Sequence, residues 1–297
     1  MSARTHRRTL FDRYSQNLEA IGPEHAGVYA CPICLDTFPP EALDGNDPAL
    51  SEEHCPQRGL GESHYVLTCK GCNSQAGSQI DHHVHKHVRF RRFWDGNERS
   101  NVQFQFDDAA IAAAIGRDSG TLSLWPDRRR CDPSALDDLF NSLRLRTLKD
   151  FTLRFGRDVV PNKRRFHIAL MKNAYLLLFR HFGYAYILTP LFDDIRRQIC
   201  EPTVKHVALE RMVIRLTSKA HPGILRITEP EFLDCFLVTM YLARTQETYG
   251  VVMPTTGRTY ANWSEWMETH KETGHLSYTE EPFDESNLTA GDYSWSC

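Results

Sequence analysis

The sequence has no run of about 20 apolar residues of the kind a bilayer span requires. Its longest apolar neighbourhood, Ala174 to Phe192, is broken by Arg180 and His181, so no transmembrane helix is expected. The N-terminus carries Arg4, Arg7, Arg8 and Arg13 but lacks the apolar stretch of about 7–15 residues that marks a secretory signal, and a cytoplasmic location is expected. Charge of neither sign is in excess: 35 Lys and Arg stand against 38 Asp and Glu, a formal net charge of −3. Such a chain as a whole is weakly repelled by a polyanion, so nucleic-acid binding has to come from a local basic patch. Glycine and proline are few, at 17 and 15, which excludes collagen-like and low-complexity classes. There is no internal repeat, and residues 101–297 carry no phosphate loop, no G-x-G-x-x-G and no serine elbow, so no motif there names a function.

What is present is ordinary in bulk and uneven in distribution. At about 150 residues per domain, 297 residues predict about two domains. Hydrophobic residues at 41% and charged residues at 25% are usual for a soluble globular chain. Composition shifts divide it into a basic arm over 1–28, a motif-dense segment over 29–96, a larger mixed domain over 97–275 and an acidic tail over 276–297. The fold class is expected to be α+β. In the larger domain Val102, Phe104 and Phe106 alternate as in a half-buried strand, Asp108 to Ile115 reads as a short helix, and Thr121 to Trp125 reads as a strand. Ser134 is placed to cap a helix carrying Leu136, Leu139, Phe140 and Leu143, and Phe151, Leu153 and Phe155 alternate again. Phe166 to Phe182 is expected to be the main buried helix, because its apolar residues recur on more than one face. After Lys271 there is no Lys or Arg, and the acidic end is expected to be loosely held.

Five of the nine cysteines fall between residues 31 and 72. In a reducing compartment such clustering points to metal binding rather than disulfides. Cys31-Pro32-Ile33-Cys34 and Cys69-Lys70-Gly71-Cys72 are two C-x-x-C pairs, each able to turn two thiolates toward one ion. Together they make the four-sulfur tetrahedral shell that zinc favours, and a closed shell stabilises rather than catalyses. A thioredoxin-like redox role is weaker, since one redox pair would not need the second. Cys55 is a less favoured alternative ligand. Cys131, Cys200, Cys235 and Cys297 stand alone and read as small buried hydrophobes.

Between the pairs lies Glu52-Glu53-His54-Cys55-Pro56, and after the second pair comes Asn73-Ser74-Gln75-Ala76-Gly77-Ser78-Gln79-Ile80-Asp81-His82-His83. A carboxylate before a histidine, an asparagine directly after C-x-x-C and a histidine nine residues further on resemble the HNH endonuclease family. The resemblance covers about residues 29–95. It implies a ββα-metal finger stapled by zinc and a metal-dependent phosphodiester hydrolase acting on DNA and leaving 5′-phosphate and 3′-hydroxyl ends. It further implies His54 as general base, Asn73 as the residue that pins the base-bearing segment, and Glu53 with His82 as ligands of a catalytic Mg²⁺ or Mn²⁺. Asp81 and His83 flank His82, and a one-residue shift in helix start would bring either to the ion instead. A finger joined to an unrelated domain is an arrangement of bacterial and phage-defence nucleases, so the resemblance also implies an antiviral defence role. A defence partner protein or a second copy of the chain would be the expected partners.

These residue types suit that chemistry in their own right. A histidine with a pKa near 6.5, about its ordinary value, can take a proton from water, and a hard cation can neutralise the charge developing on phosphate. Tyr65 to Leu67 reads as a strand and Ser74 to about Phe93 as a helix, with His82 roughly two turns inside it. That helix continues through Lys86, Arg89, Arg91 and Arg92 with no acidic residue from His82 to Trp94, a stripe that could contact DNA phosphates. Arg128-Arg129-Arg130 and Lys163-Arg164-Arg165 read as solvated loops, and His83, His85 and His87 as a polar helix exterior. Two other readings stand: a non-catalytic zinc ribbon that binds nucleic acid or protein through the basic helix, and a nuclease held inactive until a ligand or partner engages residues 97–275.

Overall fold

The structure is a computed structural model describing residues 3–45, 47–57, 60, 64–107, 109–156, 159–206, 209, 211–217, 221–270 and 276–280. It is mixed α+β. The chain forms two compact units, one made of Met1–Asp81 together with Arg164–Cys297, the other of His82–Lys163. This division differs from the expected 29–96 and 97–275 segments. The first unit is discontinuous, because the helix after residue 163 packs back onto the motif-dense segment.

The first unit opens with helix α1 (Ala3–Glu19). The expected basic arm is thus an integral element: Leu10, Phe11, Tyr14 and Leu18 recur at helical spacing and are buried. The ring of Phe11 stacks on Tyr29 and that of Tyr14 on Phe179. Strands β1 (Tyr29–Ala30) and β2 (Thr37–Phe38) pair antiparallel and hold Cys31 and Cys34 in the turn between them. Within that turn Leu35 takes a left-handed φ of 65°, and its N–H donates to the Cys31 carbonyl at 2.8 Å. Strands β3 (Leu50–Cys55) and β4 (His64–Cys69) form a second antiparallel hairpin in which His54 sits opposite Tyr65. Helix α2 (Lys70–Ala76) follows directly, then one π-helical segment over Gly77–Asp81. This helix begins at Lys70, four residues before the expected start. Cys69 caps it, its sulfur accepting the N–H of Cys72 at 3.4 Å.

The second unit begins with α3 (His82–Trp94) and holds one four-stranded antiparallel sheet of order β7-β6-β5-β8. Its strands are β5 (Ser100–Phe106), β6 (Ala109–Asp118), β7 (Thr121–Pro126) and β8 (Phe151–Phe155), and α4 (Pro133–Leu145) lies between the last two in sequence. The helix expected over Asp108–Ile115 is strand β6 over its described part. Alanine favours helix locally, but pairing on both sides and burial of Ile111, Ala113 and Ile115 in alternation prevail. The α4 cap is Asp132 rather than Ser134; its carboxylate accepts the Ser134 N–H at 2.8 Å. Phe104, Phe106 and Ile111 pack on Leu136 and Leu139 of α4, while Val102, Ala113 and Ile115 pack on Phe93 of α3.

The chain re-enters the first unit along α5 (Lys163–Phe182), the buried helix the apolar pattern predicts. Lys163-Arg164-Arg165 form its first turn, not a loop. Gly183 ends it with φ 70°, at a point where a Cβ would collide with Asn17, so glycine is required twice over. Helices α6 (Tyr184–Ile187) and α7 (Asp193–Cys200) precede a five-stranded antiparallel sheet of order β13-β10-β11-β12-β9. Its strands are β9 (Val213–Leu216), β10 (Gly223–Glu229), β11 (Cys235–Leu242), β12 (Glu247–Pro254) and β13 (Ser277–Glu280), with α8 (Thr259–Thr269) before the last. Of the expected acidic tail, Ser277–Glu280 pair with β10, and 281–297 lie outside the described residues. Among the described residues no helix is long and apolar enough to cross a membrane.

Three buried tyrosines tie these pieces together. Tyr29 donates its hydroxyl to the Leu67 carbonyl at 2.6 Å, and Tyr175 of α5 donates to the Pro32 carbonyl. Tyr184 donates to the Ala30 carbonyl and accepts the Ala30 N–H at 3.1 Å. Tyr184→Phe leaves both backbone groups of Ala30 buried without that partner. It should cost about 1–3 kcal/mol, read as a lower thermal midpoint, with zinc content unchanged; an unaltered midpoint would show that the hydroxyl does not tie α6 to the knuckle.

Candidate metal centres and active site

The sulfurs of Cys31, Cys34, Cys69 and Cys72 all lie within 4.8 Å of one another. Cys34 and Cys69 are 3.7 Å apart, close to the roughly 3.8 Å edge of a tetrahedron with zinc–sulfur bonds of about 2.3 Å. Backbone N–H groups already point at two sulfurs: Cys69 donates to Cys31 at 3.3 Å, and Cys72 to Cys69. The Cys69 thiol is lowered to about 5, first by the hydrogen bond from Cys31 and further by the Cys72 N–H, against the effect of burial. The Cys31, Cys34 and Cys72 thiols are raised instead, so the fit to zinc rests on the geometry: four sulfurs supplied by two turns, with amide donors on two of them. Cys55 stays apart as a fully buried thiol pushed up to about 12 by desolvation.

Cys200, expected to stand alone, is beside this cluster. It shares a hydrogen bond with the Cys72 thiol, which lowers it below the usual thiol value, and its carbonyl accepts from Gln75 on the helix carrying Cys72. Cys131 donates to the Ala112 carbonyl at 3.2 Å; Cys235 is buried and pushed up to about 12 by desolvation; Cys297 lies outside the described residues.

Glu53 and His54 are consecutive on β3 and therefore face opposite sides of it. His54 is half-buried, its ring 4.4 Å from that of Tyr65, which in turn meets His6 of α1 edge-on at 5.1 Å. His6 also bonds Glu52 at 3.1 Å, linking α1 to the strand that bears His54. Asn73 donates to the Ser51 hydroxyl at 2.9 Å and thereby fastens α2 to the same strand.

Glu53 is 6% exposed, and its charge is met by Lys172 of α5, which is 0% exposed. The ammonium nitrogen lies 2.9 Å from Glu53 Oε1 and 2.6 Å from Asp81 Oδ2. Asp81 ends the π-helical segment, whose wider turn shifts the phase of the side chains that follow it. Its carbonyl accepts from Gln57 at 3.4 Å, and the Gln57 N–H donates to Asn173 on α5 at 2.6 Å. Two carboxylate oxygens of this group, Glu53 Oε2 and Asp81 Oδ1, are buried with no hydrogen-bond partner among the described residues. Burial pushes the Glu53 carboxyl up, the negative charge of Asp81 adds to the rise and Lys172 opposes it. For Lys172 burial favours the neutral amine, but the two carboxylates outweigh it and raise its pKa.

Of the expected ion ligands the structure therefore brings Glu53 and Asp81 together, with Lys172 between them. His82 is the first residue of the other unit, its ring 4.1 Å from that of His83. His83 is buried, and its Nδ1 accepts the Asn162 N–H at 3.1 Å. On α3, Arg89 and Arg92 both pair with Glu98, at 3.4 and 3.1 Å, while Lys86 and Arg91 are half-buried. Lys172 was missed by sequence reasoning, although a lysine inside a helix buried on more than one face is itself a signal of a buried charge partner. Comparison with protein-family models, with curated proteins and with solved structures finds no match.

Metal analysis of the purified chain should find one zinc per molecule, reduced to a trace in Cys31→Ser, with a lower thermal midpoint for that variant and for chelator-treated protein. The raised Glu53 pKa means that the folded chain holds this proton more tightly than the unfolded one. Its contribution is complete below the ordinary carboxylate value and falls as pH rises through the raised one. In divalent-free buffer near neutral pH, Glu53→Gln should therefore unfold at a temperature equal to or above that of the wild-type chain; a clear drop would show that the ionised carboxylate is a net stabiliser.

Proposed function

We propose that this protein is a zinc-stapled, metal-dependent endonuclease of the HNH type that hydrolyses phosphodiester bonds in DNA. The observation that carries the reading is the pair of carboxylates, Glu53 and Asp81, held at one point with a buried unpartnered oxygen on each. They belong to a hairpin and helical segment joined by the four-cysteine cluster, and the His54 and Asn73 of the family pattern lie between them in sequence.

In this reading Cys31, Cys34, Cys69 and Cys72 would hold a zinc ion that staples the β1–β2 turn to the start of α2. Asn73, through Ser51, keeps β3 in register with α2. Glu53 and Asp81 would hold a Mg²⁺ or Mn²⁺ ion. When bound, such an ion neutralises charge on the phosphate and on the leaving oxygen. His54 would take the proton from the attacking water. Lys86, Arg89, Arg91 and Arg92 contact DNA phosphates. A role in antiviral defence and a partner protein or second copy remain with the resemblance.

One observation favours the rival reading of a non-catalytic zinc ribbon that binds nucleic acid or protein: Lys172 gives both carboxylates a structural partner. Plasmid cleavage separates the two. The wild-type chain should nick and linearise DNA with Mg²⁺ or Mn²⁺ and stop with chelator, and His54→Ala should lower the rate by about a hundredfold or more with zinc and folding intact. Equal cutting by both would sink the assignment of His54, and DNA binding without any cutting would favour the ribbon. Glu98→Gln should release Arg89 and Arg92, tightening DNA binding and steepening the fall of log affinity with log salt by about one unit for each further phosphate neutralised; an unchanged salt slope would count against α3 as the DNA-binding face.

A further inference from the structure

We infer that Lys172 is a resident counter-cation of a two-carboxylate divalent site, taking one oxygen of Glu53 and one of Asp81 and leaving Glu53 Oε2 and Asp81 Oδ1 to the ion. This deepens the proposed nuclease reading and rests on it for the role of the ion, though not for its binding.

Each carboxylate offers two oxygens. Lys172 takes Glu53 Oε1 at 2.9 Å and Asp81 Oδ2 at 2.6 Å. The remaining oxygen of each is buried and meets no donor among the described residues. A buried anionic oxygen without a donor is costly, and two of them on groups joined through one ammonium are the hard oxygen donors that Mg²⁺ and Mn²⁺ take. The carboxylates cannot easily turn away. Glu53 is on a paired strand, the Asp81 carbonyl is bonded by Gln57, and Lys172 rises from a helix with no exposed surface of its own.

The ammonium has two effects on an ion. It keeps the carboxylates together when no ion is bound, because two such groups side by side and unpaired would repel. It also opposes the ion directly, one positive charge against two at short range. The cluster carries one net negative charge alone and one net positive charge when loaded, which a phosphodiester then neutralises. Ion and phosphodiester should therefore bind with mutual reinforcement, and the ion by itself should bind weakly.

The test is Mn²⁺ binding to the full-length, zinc-loaded chain, read by electron paramagnetic resonance of free Mn²⁺, with and without a phosphorothioate-linked DNA oligonucleotide that resists cleavage. Lys172→Met should bind Mn²⁺ alone about tenfold or more tightly than the wild type. The gain in Mn²⁺ affinity that the oligonucleotide gives the wild type should shrink in the variant. Asp81→Asn and Glu53→Gln should each lose Mn²⁺ binding while staying folded by circular dichroism. If Lys172→Met is unfolded in divalent-free buffer, Mn²⁺ should refold it, since the ion then supplies the missing positive charge. The inference is overturned by a folded Lys172→Met that binds Mn²⁺ no more tightly than wild type, by an unfolded one that Mn²⁺ does not restore, or by Asp81→Asn that binds as wild type does. Mn²⁺ binding of the expected pattern without DNA cleavage would remove the nuclease reading alone; cleavage with Mn²⁺ binding indifferent to Lys172 would remove this inference alone.

Discussion

An ammonium group with no exposed surface has to be satisfied by the protein, and the way Lys172 is satisfied organises the first unit. Its two carboxylates come from the end of β3 and from the last residue of the π-helical segment, so one charge ties a strand, a helix terminus and α5 together. Hydrogen bonds around it repeat the same linkage: Asn173 receives the Gln57 N–H, Arg165 donates to the Gln79 carbonyl, and Tyr175 reaches Pro32 in the cysteine knuckle. A charged trio in so dry a place is a poor stabiliser, because desolvation offsets most of the Coulomb attraction and well-packed apolar residues of equal volume would serve the fold as well or better. The rise of the Glu53 pKa expresses the same fact from the side of the proton.

The cysteine cluster is a different kind of constraint. Its four sulfurs come from the turn of a small hairpin and the start of a helix, and the capping of α2 by Cys69 shows the local backbone already arranged around sulfur. Metal binding in such sites is folding free energy, so the knuckle and the helix start are made together. The carboxylates are then presented from a frame whose near end is sulfur and whose far end is α5.

Legibility in the sequence followed the distance over which each interaction acts. The two C-x-x-C pairs were readable because each sets its ligands within one turn, and β5, β8 and α5 because their periodicities are carried by consecutive residues. Strand β6 departs from the helix that its Ala-rich composition favours locally, because pairing with β5 and β7 decides the outcome. Asp132 took the cap from Ser134 because either can accept the first helical N–H and only the backbone path chooses. A period of 3.6 does not give the facing of Asp81, His82 and His83, since a π-helical segment with a wider turn ends at Asp81. Lys172 and Cys200 were invisible as partners because nothing local in sequence links them to Glu53 or Cys72.

Lys172 follows Glu53 by 119 residues and Asp81 by 91. On a ribosome, both acidic groups leave the exit tunnel long before the basic one that neutralises them is even polymerised. A nascent chain that stops short of α5 is therefore an incomplete electrostatic object, its two carboxylates still lacking the ammonium that pairs them in the finished protein. Whatever that spot does, it does only in chains translated past α5, and a product truncated before α5 would carry Glu53 and Asp81 without the charge that balances them.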